Sequence, residues 1–220
     1  MYPLDTLENI ENHEKLATEK NLGGTRLVIL LVAQPSLPDG RDILAQFNSI
    51  HYQTQRHCGV YVPGFSVSPF PSEYNDSKPF DTIDNAKWWY SDKAFWETIE
   101  LLENRIQWRC SGESEMIMLH SKTTGKSALD FTNYVSLQIA HGIRKGYYES
   151  FPRLFTQIIS AAKRQNKSTD ALLDVAKQNI SIREVVLDAI SQLDVKVAAK
   201  ALKDKAFYVT SAMSAKRRKN

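Results

Sequence analysis

The chain has 220 residues, 42% of them hydrophobic and 24% charged, with a formal net charge of +3. That length suits one domain with an appendage, and that hydrophobic share excludes global disorder. The charge excess is too small for a dedicated nucleic-acid binder and is concentrated at Lys216-Arg217-Arg218-Lys219, without which the chain is nearly neutral.

The two cysteines, Cys58 and Cys110, form no C-x-x-C pair. The opening MYPLDTLENIENHEK carries acids and has no apolar core, so it reads as no signal peptide, and no window of about 18 apolar residues is present to span a membrane. The expectation is a cytoplasmic protein with both thiols reduced.

Residues 1–22 read as an N-terminal helical arm. Leu4, Leu7, Ile10 and Leu16 give a weak apolar stripe, Asp5 or Thr6 caps a helix from about Leu7 to Lys20, and Gly23-Gly24 ends it. The stretch Arg26–Gly40, RLVILLVAQPSLPDG, organises the rest. Leu27–Val32 is an unbroken branched apolar run bounded by glycines and a Pro/Gly loop, the pattern of a strand buried on both faces. Asp39 or Asp42 caps a helix near 42–55, with Ile43, Leu44, Phe47 and Ile50 on one stripe. Val60-Tyr61-Val62 is the next strand, stopped by Pro63-Gly64. Strand, helix and strand together predict a βαβ unit with parallel strands and a right-handed crossover.

Residues 63–90 hold Pro63, Pro69, Pro71 and Pro79 among serines and aromatics, and read as a long irregular loop of the kind that carries function or moves. Phe65, Phe70, Tyr74, Phe80 and Trp88-Trp89-Tyr90 argue that part of it packs down. Ser91 or Asp92 caps a helix running to about Trp108, with Phe95, Ile99, Leu102 and Ile106 inward. Met116–Leu119 is a strand. After a turn at Thr124-Gly125-Lys126, the alternate positions Leu129, Phe131, Asn133, Val135, Leu137 and Ile139 mark its hairpin partner. Phe151, Leu154, Phe155, Ile158 and Ile159 stripe a helix that Pro152 helps to start. Further helices are predicted at about 170–178 and, from the capping box Ser181–Glu184, along Ile182, Val186, Ile190, Leu193 and Val197. Ala206–Val209 reads as a last strand or a helix end.

The fold class is therefore α/β, a small mixed sheet of about four strands with helices on both faces. The domain spans 23–165, followed by a helical extension at 166–210 and a basic disordered tail at 211–220. The order β-α-β-α-β-β-α resembles the thioredoxin-like element order. The resemblance is one of order alone: the place of the redox C-x-x-C holds Gln34-Pro35-Ser36-Leu37, which contradicts a thiol-redox role.

Several apparent motifs have plainer readings. His120–Ser127 ends in G-K-S after a strand, but the first glycine of a phosphate loop is replaced by His120 and a strand-like run follows, so a hairpin turn is the better account. His57 and Cys58 are adjacent on a strand and point apart. With His51 they give at most three of the four ligands of a structural zinc, so Cys58 reads as a buried core residue. Gly64-Phe65-Ser66-Val67-Ser68 is half a nucleophile elbow, with Pro69 where the helix should begin. Glu113, Glu115 and Lys122 hint at a nuclease set without a further carboxylate on a neighbouring strand.

The functional expectation is a non-catalytic binding or regulatory module working through protein–protein contacts, of a composition that fits an accessory component of a bacterial, defence-type multi-protein system. No cofactor, metal or membrane is called for. The alternative is an enzyme acting on nucleotides or nucleic acid through a cleft at the 34–41 and 63–90 loops, because parallel strands bring their C-terminal ends to the sheet edge where α/β folds bind ligands. Gln34, Ser36, Arg41, Trp88 and Trp89 are the candidate ligand-binding residues there. Lys216, Arg217, Arg218 and Lys219 are candidate contacts to a phosphate backbone.

Overall fold

The computed structural model describes residues 2–3, 6–20, 26–46, 50, 54, 58–81, 87–122, 127–167 and 207–210. The helices expected at 170–178 and 181–197, and Lys216–Lys219, lie outside the described residues.

An edge strand, β1 (Tyr2–Pro3), precedes α1 (Leu7–Lys20). Thr6 caps that helix, its hydroxyl accepting the Asn9 N–H at 3.2 Å. All six residues of β2 (Leu27–Val32) are buried. Next comes α2 (Pro38–Leu44), which begins several residues before the expected start near 42. The proline explains this: its ring presets the φ of a first helical turn and its missing N–H is no loss there. Leu37 stands at the N-cap with no side-chain bond, so neither Asp39 nor Asp42 caps α2.

After β3 (Cys58–Val62) the chain forms β4 (Phe65–Ser66), β5 (Lys78–Asp81) and β6 (Lys87–Tyr90). These three make a separate antiparallel sheet in the order β4-β6-β5. The stretch expected to be irregular thus holds a small sheet. Pro79 sits on its edge strand β5, where the absent N–H breaks no ladder. Phe65, on the other edge strand β4, is in ring contact with Phe80, Trp88 and Tyr90. The Asp76 carboxylate accepts the Ser91 hydroxyl and the Lys93 N–H, which pins the intervening turn to the start of α3 (Asp92–Arg105). Ser91 caps α3, accepting the Ala94 N–H at 3.1 Å. The helix stops at Arg105, and extended backbone at Ile106 then carries Ile106 and Trp108 into the core.

The hairpin of β7 (Glu115–Ser121) and β8 (Leu129–Gln138) follows, then the unforeseen short helix α4 (Ile139–Arg144), then α5 (Phe151–Lys167) and β9 (Phe207–Thr210). The main sheet runs β1-β3-β2-β7-β8-β9. β2 is parallel to β3 and antiparallel to β7, with Ile29 opposite Val60 on one side and Met118 on the other. The mixed α/β sheet is the one the sequence predicts, widened by the edge strands β1 and β9.

A buried charge pair ties α1 to the sheet. Glu14 on α1 is 0% exposed, and it accepts Arg26 Nε at 2.8 Å, Arg26 Nη2 at 2.5 Å and the Tyr61 hydroxyl. Burial works against the Arg26 charge, but Glu14 more than offsets it and keeps the guanidinium protonated. Gly59 makes room for this pair: a Cβ there would lie 2.2 Å from Glu14 Oε1.

Candidate functional site

The site begins where β2 ends. The Leu37 N–H donates to the Gln34 carbonyl at 3.2 Å, turning the chain into α2. Gly40 then packs directly on that carbonyl, since an added Cβ would fall 1.9 Å from it. The first turn of α2 is therefore held against the end of the central strand. The opposite wall comes from the end of β8, where Gln138 passes into α4. Gly142 in α4 lies under the Tyr148 ring, so close that a Cβ would meet Cε2 at 2.1 Å, and this packing fixes the turn into α5.

Ser114, just before β7, joins the two walls. Its N–H donates to Asp39 Oδ2 at 3.0 Å, and its carbonyl accepts the Ile139 N–H at 3.0 Å and the Ala140 N–H at 3.5 Å. One peptide segment thus holds both the first turn of α2 and the first turn of α4. The Ser114 hydroxyl is buried and has no hydrogen-bond partner among the described residues.

Between the walls lies an open cleft of about 490 Å³, lined by α2, α4 and the start of α5. Ile43, Ile139, Ala140 and Phe151 form its buried apolar lining, and Ile143 stands 36% exposed beside them. Asp39, Asp42, Gln46, Arg144 and Glu149 supply its polar groups. Two of the charges are neutralised locally. Arg144 Nη2 donates to both Glu113 oxygens at 2.6 and 2.7 Å, which raises the guanidinium further above its ordinary range. Glu149 is ion-paired with Arg153. Asp42 is exposed and has no ion pair among the described residues.

The residues picked from the sequence fall around this cleft rather than in it. Gln34 contributes its backbone to the wall, while Ser36 and Arg41 are exposed and do not line the cavity. Trp88 and Trp89 are half-buried on β6, opposite Phe80 and Pro79 in the second sheet, and line no part of it. This cleft has α2 on one side, as the expected one does, and α4 and the start of α5 on the other.

The other motifs resolve into structural roles. Ser127 is followed by β8, not by a helix, which removes the geometry of a phosphate loop. Burial pushes the Cys58 thiol up to about 12, far from a nucleophilic range. Glu115 is buried and accepts Trp108 Nε1 at 2.8 Å and the Ser111 N–H at 2.7 Å, while Lys122 pairs with Asp130 at 3.1 Å. Among the described residues no group of three or more His, Cys, Asp or Glu is placed to hold a metal ion. Nor is any described helix long and apolar enough to cross a membrane.

Fold and site together define an α/β domain with an open, apolar-lined cleft at the C-terminal end of its central strand. No protein-family model matches the chain, and no curated protein or solved structure matches it.

Proposed function

We propose that the chain is a binding module that takes a segment of another protein into the cleft between α2, α4 and α5. The observation that carries this reading is the combination of an apolar lining with walls set by main-chain hydrogen bonds to Ser114. A preformed apolar cavity loses little entropy on binding, and its polar rim supplies orientation. At about 490 Å³ the cleft suits one or two side chains of a short segment. Its open shape suits a segment laid across it.

The test is selection from a displayed random-peptide library on the full chain, run beside the Ile143→Asp variant. Ile143 is exposed, so the charge enters the cleft without entering the core. The reading predicts a consensus that enriches on the unaltered chain and is lost on the variant. Enrichment that is indifferent to Ile143→Asp, or no enrichment at all, rejects it.

A further inference from the structure

The assignment of the cleft to a protein segment leaves open which chemistry it selects, and the distribution of charge around it answers that. Resting on that reading, we infer that the bound segment is basic as well as apolar: it presents a Lys or Arg next to the apolar side chain that fills the cleft. Asp39 and Asp42 are three residues apart on α2 and so lie on one helix face, the face that lines the cavity. Asp39 spends Oδ2 on the Ser114 N–H, and Asp42 faces solvent with no cation against it among the described residues. The cations on the other wall are already answered, Arg144 by both oxygens of Glu113 and Arg153 by Glu149. Arg41 lies on α2 but does not line the cavity. The mouth is therefore net negative, with the unpaired Asp42 carboxylate on one side beside the apolar lining.

A cation arriving there meets Asp42 without having to displace an existing partner. An acidic segment meets the same carboxylate unfavourably, and at Arg144 it meets a guanidinium whose charge Glu113 already balances. Such complementarity sets specificity and association rate more than raw affinity. The segment that satisfies both parts of the site is an apolar anchor flanked by lysine or arginine.

The experiment uses short synthetic fluorescent peptides, one with leucine flanked by lysines, one with serines in place of the lysines, one with glutamates there, and one with the lysines kept but leucine replaced by serine. Anisotropy should rank the lysine–leucine peptide tightest. The serine-flanked peptide should bind about three- to fivefold more weakly, the value of an exposed ion pair, and the glutamate peptide more weakly still. Asp42→Asn should remove the lysine advantage while leaving the serine-flanked peptide unchanged, and added salt should act in the same direction. Glutamate binding as well as lysine, or Asp42→Asn without effect on the lysine peptide, overturns the charge assignment alone. Loss of leucine dependence, or affinities insensitive to Ile143→Asp, overturns the cleft reading beneath it. Replacing Lys216, Arg217, Arg218 and Lys219 by serine in the full chain should leave the lysine–leucine affinity unaltered. If it tightens, the occupant is the chain's own basic terminus and not a partner.

Discussion

Breaking the Glu14–Arg26 pair tests how the helical layer is fastened to the sheet. Glu14→Ala removes the acceptor of two Arg26 bonds, at 2.8 and 2.5 Å, and of the Tyr61 hydroxyl, and leaves a guanidinium that is only 12% exposed without its counter-charge. Losing one member of a buried pair costs about 3–5 kcal/mol. For a chain of this size each kcal/mol moves the midpoint by about 2–4 °C, so thermal unfolding should fall by roughly 6–20 °C. The companion variants separate charge from packing. Arg26→Met alone strands a buried carboxylate and should be comparably damaging, whereas Glu14→Leu with Arg26→Met removes both charges and should recover most of the loss. Denaturant melts of the unaltered chain, Glu14→Leu, Arg26→Met and the double variant, followed by circular dichroism, give the coupling energy. A cost below about 1 kcal/mol for Glu14→Ala would place the pair among exposed ion pairs and refute the account of α1 as anchored by charge.

Ile29→Ala, at a fully buried position between Val60 and Met118, should cost about 2–5 kcal/mol in the same melts. Gly40→Ala forces a methyl toward the Gln34 carbonyl, so it should destabilise by about 1–3 kcal/mol and weaken peptide binding by shifting the α2 wall, both measured on the one variant. Stability should also fall with acid in two windows, read as unfolding free energy against pH. Burial holds the His120 imidazole below its ordinary range against the opposing pull of Asp130, so as pH drops below about 6.5 the unfolded chain binds a proton that the folded chain refuses, and His120→Gln should flatten that loss. Burial raises the Asp130 carboxyl, but bonds from Thr132, Asn133 and Lys122 outweigh it and hold the group below the ordinary carboxylate range. Its contribution is present above about pH 3.9, is lost as pH falls through its folded value, and should vanish in Asp130→Asn.

The parts of the fold legible in the sequence are those with strong local chemistry. Six consecutive branched apolar residues at Leu27–Val32 leave no alternative to a doubly covered strand, and Ser91 before an apolar stripe marks the start of α3. The start of α2 was obscured by two aspartates that resemble caps, while Pro38 governed it. The second sheet was hidden because β4 has only two residues and β5 carries an edge proline, neither of which produces a periodic signal. α4 was hidden because Ile139 continues the alternation of β8 across the boundary. The cleft itself was half legible. The rule that ligands gather at the C-terminal ends of parallel strands points to the α2 side. The other wall is set by the Ile139 and Ala140 N–H groups donating to the Ser114 carbonyl, and backbone groups carry no residue signature; the tie from the Ser114 N–H to the Asp39 carboxylate spans 75 positions and leaves no local pattern either.

Amide chemical-shift mapping with the lysine–leucine peptide tests the central claim most directly, because it reads both the cleft and the surface favoured by the sequence in one titration. The largest shifts should gather on Asp39–Gln46, Ile139–Arg144 and Ser150–Arg153, excluding the prolines, and leave Trp88 and Trp89 near their free positions. Shifts centred on Gln34, Ser36, Trp88 and Trp89, with the α4 and α5 amides unmoved, would contradict it.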